Sequence, residues 1–361
     1  MNAKKIITLS GAVLLALTST SLAGNWRHHY NGNGNPGFAP PCAGKGQLQY
    51  VYTTVNVGPY NPPGTSWFGI NNSGELVGNT VWPGPAPAGT TPPAITVATI
   101  LDKGNLTTWA ATLPDGSTSG YSEFMGVNDK GVAIGDYFDD ASPQLAHDFI
   151  RSPDGHITLL PPVPVPGGAP SYFVYFNEAI NNEGTIVGTF TPDPNWKNDW
   201  GNGDLPAFQG FILKHGKYTT WAYPGATQTF FEAINDNGTI GGQWVDAAGT
   251  GYAFLLNKDG STTSIVPPES LSPAVPANAD VYGLNNNGDV VAQYLYYDVT
   301  TDATVSRSLL LSHGIYTQIY LPNDVGDTEA CSINDEGVIA GTYGDWQYGF
   351  VATPVHGDDH H

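Results

Sequence analysis

Residues 179–190 read AINNEGTIVGTF, and the pattern returns as GINNSGELVGNT from Gly69, GVNDKGVAIGDY from Gly126, AINDNGTIGGQW from Ala233, GLNNNGDVVAQY from Gly283 and SINDEGVIAGTY from Ser332. Successive copies start 49 to 57 residues apart, the regularity of a repeat architecture. Each copy predicts a strand, a tight turn and a second strand, because β-branched residues alternate on both sides of an Asn-Asn or Asn-Asp step closed by glycine. The glycine (Gly74, Gly131, Gly184, Gly238, Gly288, Gly337) suits a backbone of positive φ, and the Asn before it can bond its own turn. Since Asn71, Asn128, Asn181, Asn235, Asn285 and Asn334 recur in every copy, their work is structural: one active site would not need six.

Between copies lie two further strand signals joined by a turn, as in AFQGFILKHGKYTTWAYP (207–224) and GYAFLLNKDGSTTSIVPP (251–268). Four strands per repeat, six times over, predict an all-β, six-bladed β-propeller with four antiparallel strands per blade. After the sixth copy only YGFVATP (348–354) remains, one strand short. The missing strand is expected at the other end, where QLQYVYTTVNVGP (47–59) matches the fourth-strand segments, so that the N-terminal strand would pair with the last blade.

Length agrees, since 361 residues exceed what one ordinary core supports. Gly 45 and Pro 29 punctuate apolar runs, and 12% aromatic residues exclude wholesale disorder. A net charge of −20, with 12 basic residues against 32 acidic, excludes nucleic acid and anionic membrane as partners. Lys4 and Lys5, an apolar run from Ile6 to Leu17 and Ser21-Leu22-Ala23 predict a signal peptide over 1–23, cleaved after Ala23. The domain plan is therefore a leader (1–23), a flexible segment (24–46), the propeller (47–354) and a disordered tail (355–361). No later stretch reaches 18 apolar residues, so the expectation is a secreted or periplasmic protein without membrane insertion, monomeric. Cys42 and Cys331, far apart in sequence, would fall in or beside one blade; in an oxidising compartment they would form a disulfide locking the ring, or else remain buried thiols.

The INNxGxIVGxY element followed by a GF(L/I/V) strand resembles the bacterial extracellular HAF-repeat proteins, over about 47–354. The resemblance implies propeller-type repeats outside the cell and no particular chemistry. Two departures stand out: Ala292 replaces the usual glycine in the fifth copy, and the His of an HGF triplet is found in none. The turn also resembles the Asp-box of sialidases, whose site takes three arginines. Here Arg27 lies in the lead-in and only Arg151 and Arg307 remain, so that activity is set aside.

One face should carry short turns and the other long, irregular connections such as 81–94, 161–171, 191–206 and 267–279, and ligands favour the elaborate face. Trp82, Trp196, Trp200, Tyr296, Tyr297 and Trp346 fall there. Flat rings beside Asp and Asn suit stacking on sugars, although the same rings could pack loops onto blades. Without a basic patch, a neutral glycan fits better than a polyanion. Asp139, Asp246 and Asp345 occupy related places after the motif and could hold calcium, or could be solvated turn acids; no cofactor is required. His28, His29, His356, His360 and His361 gather near the termini, as tails or as a transition-metal site. The expected function is ligand binding on the loop-rich face, with an extracellular glycan first. A polysaccharide hydrolase or lyase using loop carboxylates is the alternative, and an extracellular protein-interaction component the second.

Overall fold

A computed structural model of the chain describes residues 48–139, 146–165, 172–173, 178–191, 207–266, 279–298, 303–321 and 328–355. The expected leader, the segment before the propeller, the terminal histidines, Cys42, Trp196 and Trp200 lie outside the described residues.

Five sheets follow the sequence order of the repeats after β1 (Tyr50–Thr54). The first blade is β2 (Ser66–Ile70), β3 (Leu76–Pro83), β4 (Ala94–Asp102) and β5 (Asn105–Trp109). The second is β6 (Ser122–Val127), β7 (Ala133–Phe138), β8 (Ala146–Arg151) and β9 (Ile157–Leu159). In the third, β10 (Tyr172–Phe173) and β11 (Ala179–Ile180) both pair with β12 (Ile186–Thr191), followed by β13 (Gln209–Lys214) and β14 (Lys217–Trp221). The fourth holds β15 (Gln228–Ile234), β16 (Ile240–Val245), β17 (Gly251–Leu256) and β18 (Thr262–Ser264). The fifth holds β19 (Ala279–Leu284), β20 (Val290–Asp298), β21 (Ala303–Ser312) and β22 (Ile315–Ile319). The sixth combines β23 (Glu329–Ile333), β24 (Ile339–Tyr343) and β25 (Tyr348–Pro354) with β1, Tyr50 facing Pro354 and Thr54 facing Phe350.

The innermost strands neighbour one another in the order β2, β6, β11, β15, β19, β23 and back to β2. Apolar side chains fill the space between blades. Val77, Ala98 and Ile100 of the first blade meet Phe124, Ala133 and Phe149 of the second. Across the junction of the last and first blades, Trp67, Ile70 and Leu76 pack with Ala340 and Val351, and Trp67 Nε1 donates to the carbonyl of Val55 at 2.7 Å. Such burial, about 25 cal/mol per Å² of apolar surface, is the main cohesive force between sheets whose backbone bonds are internal.

One irregularity recurs. Where the inner strand meets the second strand, the register shifts between Trp67 and Gly69, Phe124 and Gly126, Phe231 and Ala233, Val281 and Gly283, and Ala330 and Ser332. Each shift is a β-bulge, in which one residue has no partner across the ladder and its side chain is re-aimed. In four of the five a facing glycine accommodates it, since a Cβ on Gly78 would crowd the carbonyl oxygen of Ser66, whereas in the fifth blade Ala292 faces Val281. Alternation of two cannot continue through a bulge, and the skipped residues, Phe68, Met125, Glu232, Tyr282 and Cys331, turn toward the axis.

Candidate functional site: the axial cavity

At the end of each inner strand the motif turn closes with the glycine at φ between 72° and 85°. The first Asn organises the turn. Asn181 Oδ1 accepts from the backbone N–H of Glu183 (3.1 Å) and Thr185 (3.0 Å), and Nδ2 donates to the carbonyl of Asn235 in the next blade at 3.1 Å. The same cross-blade bond runs from Asn71 to Asn128, Asn128 to Asn181, Asn235 to Asn285, Asn285 to Asn334 and Asn334 to Asn71, at 3.0–3.2 Å. It is a continuous belt.

A second belt lies beside it, made by the residue that follows. Asn72, Asp129, Asn182, Asp236, Asn286 and Asp335 alternate amide and carboxylate around the axis. Each backbone N–H donates to the Oδ1 of the next blade at 2.7–2.8 Å. Each asparagine Nδ2 has two hydrogens and gives one to either flanking aspartate Oδ2, at 2.6–2.9 Å. Every donor thus meets an acceptor, and three carboxylates sit close together because amides separate them.

On the far side of this ring from the solvent at the short turns, Ile70, Val127, Ile180, Ile234, Leu284 and Ile333 form an apolar floor. Next comes a cavity of about 100 Å³ whose wall is the set of bulged residues, with Glu178 holding the equivalent place in the third blade. Phe68, Met125 and Cys331 pack together, and Trp346 leans on Phe68 with ring centroids 5.7 Å apart at 45°. Trp346 is the last of three consecutive residues at positive φ, Gly344 (64°), Asp345 (54°) and Trp346 (63°), in the turn between β24 and β25. The other half of the wall is acidic.

Behind Glu178 stands a rung of carboxyls, Glu123 opposite Asp136 and Asp136 opposite Asp148 across three strands of the second blade. All four acids are at least 96% buried. Asn79 Nδ2 (2.8 Å) and the Tyr121 hydroxyl (2.9 Å) donate to Glu123 Oε2. Burial, then the charge of Asp148 and its other neighbours, pushes Glu178 well above the usual carboxylate range, and burial with Glu123 does the same to Asp136. Burial raises Asp148 to about 7, a rise moderated by its hydrogen bond with Glu178. A second pair, Glu232 with Asp280, adjoins the next blades, and Asp280 is likewise raised by burial to about 7. At neutral pH Glu178 and Asp136 therefore hold protons and Asp148 and Asp280 do so in part, the economical state for carboxyls crowded out of water.

Of the aromatic residues expected from the sequence, Trp346 touches the cavity wall from outside, through its contact with Phe68. Trp82 is at the outer end of β3, opposite Ile95 and half-buried, and Tyr296 and Tyr297 lie on β20 opposite Val305 and Thr304. The three aspartates have separate surroundings. Asp139 Oδ2 is 3.2 Å from His147 Nε2. Asp246 Oδ1 caps its own turn through the N–H groups of Ala248 (2.8 Å) and Thr250 (2.9 Å), and Asp345 is exposed. Among the described residues no group of three or more His, Cys, Asp or Glu is arranged to hold a metal ion, and no disulfide is found. Cys331 is a buried free thiol whose Sγ donates to the Glu329 carbonyl at 3.5 Å; burial and then Glu329 push its titration well up, so it is no nucleophile near neutral pH.

Sequence reasoning missed Glu178, Glu232, Tyr282 and Asp280. The signal was there: a carboxylate directly before Ala-Ile-Asn in the third and fourth copies, inside an otherwise apolar strand.

A ring of six blades of four antiparallel strands around one axis defines a six-bladed β-propeller. No family model and no curated protein matches the sequence. Among solved structures, AofleA from Arthrobotrys oligospora is similar at 11% identity with a TM-score of 0.45, over 82% of this chain and 80% of that one. The Hadza microbial sialidase Hz136 is similar at 14% identity and TM-score 0.45 (80% and 66% covered). A mutant of the Aleuria aurantia lectin in complex with Fucα1-6GlcNAc is similar at 10% identity and TM-score 0.41 (77% and 88% covered). No helix among the described residues is long and apolar enough to cross a membrane.

Proposed function

We propose that the chain is an exported ligand-binding propeller whose site is the axial cavity on the loop-rich side, and that its ligand is an extracellular glycan. One observation carries this reading. The bulge repeats in five blades, yet the residue it delivers to the cavity differs, Phe68, Met125, Glu232, Tyr282 and Cys331, while the motif around it stays constant. Geometry demands the bulge; it does not demand that assortment. Aromatic faces on one side and carboxyls on the other suit a ring with an apolar C–H face and polar hydroxyls. Among the described residues the cavity wall contains no Lys or Arg, and the net charge of −20 disfavours polyanionic ligands. The leader expected from the sequence at 1–23 and the motif resemblance support a secreted or periplasmic address.

A panel of immobilised neutral glycans tests the reading. Retention by the wild type that falls at least tenfold in Trp346→Ala or Tyr282→Ala, with Trp82→Ala unaffected, places the ligand at the axis. Loss in Trp82→Ala alone places it on the outer rim instead, and retention on no glycan removes the proposal. Hydrolysis is the second reading, favoured by the proton that Glu178 holds beside Glu232 in the same cavity. New reducing ends released from a retained glycan would establish it.

A further inference from the structure

Toward the loop-rich face, the cross-strand pair on the second and third strands changes character from one blade to the next. In the second, fourth and sixth blades it joins two rings, Tyr137 opposite His147, Trp244 opposite Tyr252 and Tyr343 opposite Tyr348. The pairs are stacked, with centroids 4.9, 4.5 and 5.2 Å apart at 22°, 22° and 28°. In the first, third and fifth blades the same place holds Thr80 opposite Val97, Phe190 opposite Gln209 and Tyr294 opposite Arg307. Thr80, Phe190 and Tyr294 are at most 2% exposed, whereas every ring of the three stacked pairs is partly exposed.

Packing does not ask for this. Phe149, Phe254 and Phe350, two residues further along the same strands, already close the junction with the preceding blade at 0% exposure. One ring in water is ordinary, but a stacked pair at the same station of every second blade is a pattern. The chain above these rings is also short. Between the paired positions run residues 138–146, 245–251 and 344–347, against 81–96, 191–208 and 295–306 in the other blades, so less chain is available to cover the rings. Each short connection carries a carboxylate two residues past the first ring, Asp139, Asp246 and Asp345. Asp246 Oδ2 accepts from the Tyr252 hydroxyl at 3.1 Å, and Asp139 Oδ2 lies 3.2 Å from His147 Nε2. Flat apolar surface beside an acceptor matches a pyranose, which offers C–H bonds on one face and hydroxyl donors around its edge.

We infer that the three stacked pairs are equivalent glycan stations, each taking one neutral sugar unit, so that the chain is a multivalent binder. Recognition of a glycan is the premise shared with the reading above; the stations are additional to the axis. Trp346 links the two places, since it belongs to the connection above Tyr343 and Tyr348 and leans on Phe68 of the axial wall. A surface dense in sugar could therefore engage the stations and the axis together, with a gain on the order of 100-fold over one contact.

Albumin densely conjugated with cellobiose, lactose or mannobiose, mixed with the protein and followed by light scattering, makes the test. A chain with several stations cross-links such a conjugate, and free disaccharide reverses it; a chain with one site cannot cross-link. His147→Ala, Tyr252→Ala and Tyr348→Ala combined, shown folded by thermal melts, should abolish cross-linking and leave only the binding that Tyr282→Ala removes. Each of the three alone should weaken cross-linking without ending it, which keeps the test open should the triple variant fail to fold. Retention without cross-linking by the wild type overturns the inference and leaves the axial reading intact. Cross-linking that survives the triple variant, that no single substitution weakens, or that free disaccharide does not reverse also overturns it. Cross-linking that persists in Tyr282→Ala and fails in the triple variant upholds the stations, and if retention is then unchanged by Tyr282→Ala the axial reading falls alone. Binding of no conjugate overturns both.

Discussion

At the scale of single residues, the two asparagine positions of the motif do different work, and substitutions separate them. The first is an internal brace: Asn181 satisfies two backbone donors of its own turn and one carbonyl of the next blade while 95% buried. Asn181→Ala strips all three and should cost about 3 kcal/mol, measured as a drop in the urea midpoint at unchanged slope. The second position is a matter of charge order. Asn72→Asp would set a fourth carboxylate between Asp129 and Asp335 and remove the two hydrogens that now hold them. A loss of about 2–4 kcal/mol at pH 7, largely recovered at pH 4 where carboxyls reprotonate, is expected in denaturation curves. Asn72→Ala, which removes donors without adding charge, should show no such recovery.

Among the elements, the first strand has the largest leverage because it is supplied from the far end of the chain. Tyr52 packs on Phe350 at 6.1 Å and accepts the Tyr320 N–H at 3.2 Å, and the Tyr50 hydroxyl donates to the Gly337 carbonyl at 3.1 Å. Tyr52→Ala should cost about 3 kcal/mol and raise aggregation on heating, read by light scattering alongside the melt, since it loosens the cover on the edge of β25. The strands themselves were legible in the sequence, because a six-fold repeat announces its period through turn glycines such as Gly184 and Gly238 and through β-branched alternation. The cavity was not. Phe68, Glu232 and Tyr282 occupy positions that strict alternation assigns to the sheet packing, and only the extra residue of the bulge swings them to the axis. For the same reason Cys331 stands in the axial wall, while Cys42, its expected disulfide partner, lies outside the described residues. The loop aromatics were chosen by location, and location alone brought Trp346 to the cavity rim.

For the whole molecule, the buried acids set the response to pH. Asp148 and Asp280 titrate near 7 in the folded chain and near 3.8 when it unfolds. Between those values the folded state holds protons that the unfolded state releases, so the stability these groups confer is complete below about pH 4 and is lost as pH rises toward 7. The exposed Asp115, Asp154 and Asp259, lowered by serine hydroxyls and neighbouring N–H groups, act oppositely and lose their contribution only under stronger acid. Thermal melts should therefore give a higher midpoint at pH 5 than at pH 8. Asp148→Asn and Asp280→Asn should flatten that difference, and a midpoint that rises from pH 5 to pH 8 in the wild type would contradict the placement of these carboxyls.

The amide–carboxylate belt at the axis carries one more implication, for how such a molecule can change size. An alternating circle closes only when its members are even in number. Losing or gaining a single blade would seat two like groups as neighbours once per turn, either two anions without a hydrogen between them or two amides competing for one acceptor. Growth or shrinkage by a matched couple of blades preserves the sequence of partners, so the heritable building block of this ring is a doublet rather than the repeat that the eye first picks out.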